Sequence, residues 1–207
     1  MSERPRIECT PNGPYRVSEL ENFEYGQGHH IDTKPVMMLC RCGGSGSKPF
    51  CDGTHKRNGF SGERLGETGT DRRESYQAAR ITIHDNRAIC AHSGLCTDRL
   101  ASVFKYGSEP WIDPAVATVE AIVAAVDGCP SGALSYSLDG VEGVDRPRDP
   151  SITVTTDGPY AVVGGVLLSG QAWAQGASTE HYTLCRCGAS RHKPFCDGTH
   201  WSIGFKG

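Results

Sequence analysis

The sequence predicts an α+β protein of three small units, the first and third being copies of one β-rich module. Three observations lead there. Residues 40–55, CRCGGSGSKPFCDGTH, return as residues 185–200, CRCGASRHKPFCDGTH. Polar, turn-rich stretches at 63–75 and 139–150 set off a segment of different character between the copies. That segment holds the clearest helical pattern of the chain, DPAVATVEAIVAAV.

The repeat keeps a fixed offset of 145 positions. Residues 7–60 and 152–205 share 22 identities in 54 pairs without a gap, which marks two copies of one module. The expected units are 1–62, 76–138 and 151–207. In each copy a turn at Asn12-Gly13 or Asp157-Gly158 leads into a strand, PYRV or PYAVVGGVLL. A second strand, VMMLC or HYTLC, runs into the cysteine loop. The loop carries Gly, Ser and Pro and is expected to be irregular. CDGTH is expected to open a helical turn, with Asp52 or Asp197 near its start.

In the middle unit, YQAARITIHDNRAIC reads as strand, turn and strand around Asp85-Asn86. CTDRLASVF has helical spacing. Asp113 is expected to cap the following helix, with Pro114 at its first position and a stop before Gly128. ALSYSL reads as a returning strand.

A net charge of −3 provides no general basic field for nucleic acid. The longest apolar run is too short to span a bilayer and contains Glu120. MSERPRIECT lacks the apolar core of a secretory signal, so a reducing, cytoplasmic compartment is expected. There, ten cysteines point to metal ligation rather than to a disulfide scaffold.

Cys40, Cys42, Cys51 and His55 make a four-ligand set, and Cys185, Cys187, Cys196 and His200 repeat it. The eight residues between Cys42 and Cys51 let the chain pass around an object wider than one ion. A zinc ion and a 2Fe–2S cluster both suit three thiolates and one imidazole, and ligand count does not separate them. Both copies also place a serine (Ser45, Ser190) and a proline (Pro49, Pro194) at fixed positions before Cys-Asp-Gly-Thr-His. This pattern resembles the CDGSH iron–sulfur domain, the mitoNEET-like family, with Thr54 and Thr199 in the place of the motif's serine. The resemblance implies two 2Fe–2S clusters. It puts Cys40 and Cys42 on the inner iron and Cys51 and His55 on the outer one, with Cys185, Cys187, Cys196 and His200 repeating the scheme. It also implies that the two modules form an intramolecular pseudo-dimer, a β-sandwich.

Three thiolates leave a 2Fe–2S centre at −1 oxidised and −2 reduced, one unit less negative than four thiolates would. Imidazole in place of a thiolate therefore eases electron entry and adds a titratable ligand, so acid-triggered cluster loss is expected. Arg41, Arg186, Lys48 and Lys193 stand beside the ligands. They either offset the cluster's charge or are simply solvated.

Cys90, Cys96 and the distant Cys129-Pro130 resemble a mono-cluster bacterial ferredoxin of the divergent single-cluster branch, over residues 80–138. Ser93 stands where such ferredoxins carry cysteine or aspartate. The resemblance implies a ferredoxin-like α+β domain with a 3Fe–4S cluster, or a 4Fe–4S cluster completed by His92 or Ser93. The alternative is a decayed ferredoxin fold with three buried cysteines. Cys9, opposite Val154, reads as a packed strand residue. His29-His30, His84, His181 and His192 lack partners in the other copy and are not taken as ligands. Trp111 and Trp173 read as packing residues.

The expected function is electron transfer between a reductase and a client, with cluster storage or delivery to an apo iron–sulfur acceptor, or a zinc-bound interaction module, as alternatives. No catalytic constellation is visible, so no enzyme is expected. Neither a nucleic acid nor a membrane is an expected partner, and the repeat makes a monomer self-sufficient.

Overall fold

The computed structural model describes residues 4–66 and 71–207. Part of the expected linker 63–75, and the first three residues of the first unit, lie outside them. The fold is mixed α+β, built from small sheets and few helices.

The first copy contains β1 (Arg6–Cys9), β2 (Tyr15–Ser18), β3 (Asn22–Tyr25) and β4 (Val36–Leu39). The middle segment contains β5 (Glu74–Gln77), β6 (Ile81–Asp85), α1 (Leu95–Arg99), α2 (Val119–Asp127), β7 (Leu134–Leu138) and β8 (Val141–Glu142). The second copy contains β9 (Ser151–Val154), β10 (Tyr160–Val163), β11 (Leu167–Ser169), β12 (Tyr182–Leu184) and the one-turn α3 (Thr199–Ser202).

The β1–β2 and β9–β10 turns are built alike. Asn12 and Asp157 both take positive φ, 44° and 51°, which short polar side chains tolerate. Thr10 Oγ1 donates to the Pro14 carbonyl, and Thr155 Oγ1 to the Pro159 carbonyl, each at 2.7 Å. PYAVVGGVLL is not one strand as expected. Gly164 and Gly165, at φ 79° and 63°, break it into β10 and β11. That break lets β11 leave its own sheet. It pairs in parallel with β1, with Ile7 opposite Leu168. At the 145-residue offset β11 corresponds to β3, which crosses the other way to pair in parallel with β9, with Phe23 opposite Ile152. The two sheets run β11-β1-β2-β4 and β12-β10-β9-β3, each completed by a strand of the other copy. Their inward residues, among them Ile7, Tyr15, Val17 and Leu39 from one sheet and Phe23, Ile152, Tyr160, Val162 and Leu184 from the other, share one buried core. Burying these side chains contributes about 1.5–3 kcal/mol each for the aliphatic and phenyl groups.

The middle segment has its own sheet, β5-β6-β7-β8, and its own core around Ile83, Phe104, Ile112 and Ile122. Here the structure moves four sequence expectations. The hairpin turn lies at residues 78–80, not at Asp85-Asn86, and β6 ends at Asp85. Asn86 instead caps a 3-10 turn, Arg87–Ile89, by accepting from the Ala88 N–H at 3.0 Å, and this turn delivers Cys90. CTDRLASVF is helical only through Arg99. Asp113 and Pro114 begin a 3-10 turn rather than the main helix. The chain extends at Ala117, and Thr118 caps α2 by accepting from the Ala121 N–H. β8 falls inside the expected second linker. Among the described residues, no helix is long and apolar enough to cross a membrane.

Candidate metal centres

Both repeat loops leave a strand end and close back onto it. The Cys40 N–H donates to the Pro49 carbonyl at 2.7 Å and the Cys51 N–H to the Met38 carbonyl at 2.8 Å. In the second copy the Cys185 N–H donates to Pro194 and the Cys196 N–H to Thr183, at 2.8 and 3.1 Å. Ser45 and Ser190 staple the loops from inside, donating to the carbonyls of Phe50 and Phe195 at 2.6 and 2.7 Å. Asp52 and Asp197 behave as the sequence predicts. Each accepts from two backbone N–H groups and starts the turn carrying the histidine. The Thr54 hydroxyl and those N–H donors hold the Asp52 carboxyl far below the usual range.

The ligand atoms fall into pairs. Cys40 and Cys42 have their sulfurs 3.9 Å apart, and Cys185 and Cys187 3.7 Å. Cys51 Sγ lies 3.4 Å from His55 Nδ1, and Cys196 Sγ 3.4 Å from His200 Nδ1. Two thiolates on one tetrahedral metal stand about 3.8 Å apart, and a thiolate and an imidazole nitrogen about 3.6 Å, from ordinary bond lengths. Each pair therefore fits one metal. Among the described residues no three Cys, His, Asp or Glu side chains gather on a single-ion site.

Protonation follows burial. The Cys40 thiol is pushed up by burial. Burial, with smaller contributions from Cys187, Asp197 and Cys90, pushes Cys196 up to about 12. In the close pair, the Cys185 S–H bonded to Cys187 makes Cys187 the first to lose its proton. Burial lowers the proton affinity of His200.

Arg41, Arg186 and Lys193 are buried, and Lys48 is half-buried. Arg186 is 1% exposed and donates to the carbonyls of Gly158, Thr155 and Gly207 at 2.7–2.8 Å. Arg41 is 4% exposed, donates to the Gly62 carbonyl at 3.0 Å, and lies over the Tyr15 ring. Both hold the chain segments around the loops. Lys193 is buried on the Ser190 carbonyl. Lys48 and Lys193 reach across the copies to the rings of Phe205 and Phe60.

In the middle segment Cys90, Cys96 and Cys129 line one cavity of about 600 Å³, together with His92 and Ser93. Burial pushes the Cys90 thiol up to about 11. Asp85, which the sequence reading treated only as a turn residue, lines the same cavity and is 2% exposed. Neither of its carboxylate oxygens has a hydrogen-bond partner, although Arg87 Nε lies 3.2 Å away. Burial raises its pKa to about 6 against the pull of Arg87. A roomy cavity walled by three thiols and an unsatisfied carboxylate suits a metal cluster. The alternation Ile81, Ile83, Asp85 put this carboxylate on the core face, and that signal was available in the sequence.

The other histidines take structural places. His84 bonds Ser75 and Ser137, and His181 bonds Ser178 and Glu180. His29 and His30 are exposed. Trp173 packs on Tyr182 and Phe195, and Trp111 on Phe104. Cys9 lies in β1, packed against the shared core.

These sites define the class, an iron–sulfur protein. The family described as "Iron-binding zinc finger CDGSH type" matches residues 12–56 and 157–201, and "Divergent 4Fe-4S mono-cluster" matches 76–139. The chain belongs to the CDGSH-type iron-binding family, with a divergent mono-cluster domain set between its two copies. It is also similar to the "Uncharacterized protein YjdI" of Escherichia coli K12 and to that of Escherichia coli O157:H7. Each is 41% identical over 61 residues, covering 30% of this chain and 80% of the relative.

Proposed function

We propose that this chain is an electron-transfer protein. Each repeat loop holds a 2Fe–2S cluster, through Cys40, Cys42, Cys51 and His55 and through Cys185, Cys187, Cys196 and His200. Cys90, Cys96 and Cys129 hold a third centre, 3Fe–4S or 4Fe–4S. The observation that carries the reading is the pairing of ligands, two couples per loop at the separations of a shared tetrahedral metal.

Such clusters supply a reversible one-electron site. The chain's own residues do the rest. Loop hydrogen bonds hold the four ligands in place before any metal arrives. The buried core beneath them excludes water, and the imidazole keeps the site's charge one unit less negative than a fourth thiolate would. The strands exchanged between the sheets support an intramolecular pseudo-dimer, with the two copies as its protomers and no second chain required. Partners are then a reductase and a client protein in the cytoplasm, and the chain is a carrier rather than an enzyme. A second reading, delivery of a cluster to an apo acceptor, is favoured at one site only, because His55 is partly exposed where His200 is buried.

The test is iron and acid-labile sulfide per chain in anaerobically purified protein, with electron paramagnetic resonance. The repeat loops account for about four irons, and the middle site raises the total to about seven or eight. Colourless protein holding zinc would overturn the reading.

A further inference from the structure

The three ligand-bearing loops touch in a fixed order. A carbon added to Gly43 would strike the Cys187 carbonyl oxygen, and one on Gly188 would stand 2.7 Å from that of Cys42. The two Cys-x-Cys segments therefore meet backbone to backbone. On the far side of the second copy, a carbon added to Gly198 would stand 2.9 Å from His92 Cβ and 3.1 Å from His92 Nδ1. Gly198 lies between Cys196 and His200, and His92 between Cys90 and Cys96. A hydrogen bond from His192 Nδ1 to the Ala88 carbonyl, 2.7 Å, pins the same contact.

Among the described residues the first copy lacks this neighbour. A carbon added to Gly53, the counterpart of Gly198, meets nothing within 4 Å. Exposure agrees: Cys196 and His200 are 2% and 5% exposed, whereas Cys51 and His55 are only partly buried.

We propose that the C-terminal repeat site is the inner station of a line of three, facing the middle site across His92 and Gly198 and the N-terminal site across Gly43 and Gly188, which leaves the N-terminal site as the end open to a partner. This rests on the reading of three iron–sulfur centres. Exchange between neighbours moves one electron, oxidising one iron–sulfur centre as it reduces the next, with no bond made or broken. Electron exchange falls steeply with separation, so the order of contact becomes the order of exchange.

The test uses the full chain, reconstituted anaerobically. Cys51→Ser leaves the C-terminal repeat signal alone, and Cys196→Ser leaves the N-terminal one. In each background the microwave power at half-saturation is measured with Cys90 intact and with Cys90→Ser. Loss of the middle centre should lower it several-fold in the Cys51→Ser protein and leave it unchanged in the Cys196→Ser protein. An equal response in both backgrounds, or none in the first, overturns the order. Should a serine variant not fold, a dysprosium chelate added to the unsubstituted protein decides. It should relax one repeat signal far more than the other, and equal relaxation overturns the proposal. Iron and sulfide counts on the same samples separate this outcome from failure of the cluster reading, since clusters can be present without the order.

Discussion

The Tyr15 hydroxyl donates to the carbonyl of Cys185 in the other copy, at 2.9 Å, and also to that of Pro194. Tyr160 returns the arrangement, donating to Cys40 and Pro49 at 3.0 Å. The two tyrosines occupy the same position of the repeat, yet each serves the ligand loop of its twin. Both hydroxyls are buried, and burial raises both pKa values well above the ordinary phenol range, so they remain donors.

Tyr15→Phe should therefore loosen the distant loop. It leaves the Cys185 carbonyl without its Tyr15 donor and takes one of two donors from the Pro194 carbonyl, which keeps the Cys185 N–H, at a cost of about 1–3 kcal/mol. Denaturant unfolding measures the loss. Cluster release from each copy, followed by absorbance, should quicken at Cys185–His200 before Cys40–His55. Faster release at the N-terminal loop alone would contradict the crossed arrangement.

Arg186→Ala should destabilise the chain more than Arg41→Ala. Arg186 satisfies three carbonyls from a buried position, and hydrogen bonds from a charged donor contribute about 1.5–3 kcal/mol each. Arg41 satisfies one. Comparison of unfolding midpoints of the two variants checks this, and equal losses would mean that the aromatic contacts dominate.

Asp85 gives the metal-free chain a pH dependence of unusual sign. Burial raises its carboxyl to about 6, with Arg87 lowering it and Glu74 raising it, while an unfolded aspartate titrates near about 3.9. Between those values the folded chain binds more protons than the unfolded one, so stability falls as pH rises. The full penalty, about 3 kcal/mol, is in place above pH 6 and absent below about pH 4. Asp85→Asn should flatten the stability profile over that window. An unchanged slope would show that another group sets it.

Acid should empty the two repeat sites unequally. Protons compete with metal for the imidazole, and burial lowers the proton affinity of His200 while His55 is partly open to water. Cluster absorbance is expected to fall in two steps on acidification, with the first step abolished by His55→Cys. A single step, or a first step removed by His200→Cys instead, would count against this.

The local chemistry was legible in the residues because short-range spacing decides it. Cys-x-Cys and Cys-x-x-x-His put two ligands on one strand end and one turn, and Asp52 can cap only the turn it begins. Stretches with competing local options misread instead. Asp85-Asn86 has turn chemistry, but Asn86 spends it on a 3-10 turn. Asp113-Pro114 has capping chemistry, but a separate cap, Thr118, starts the helix.

From the sequence alone came the two copies, their eight ligands and the three cysteines of the middle unit, since identity and spacing are properties of the chain itself. Tertiary structure alone decided that β3 and β11 change sheets, that Arg41 and Arg186 are buried props, and that His92 meets Gly198 rather than Gly53. Those choices depend on contacts between segments far apart in the chain, which leave no periodic mark in either module.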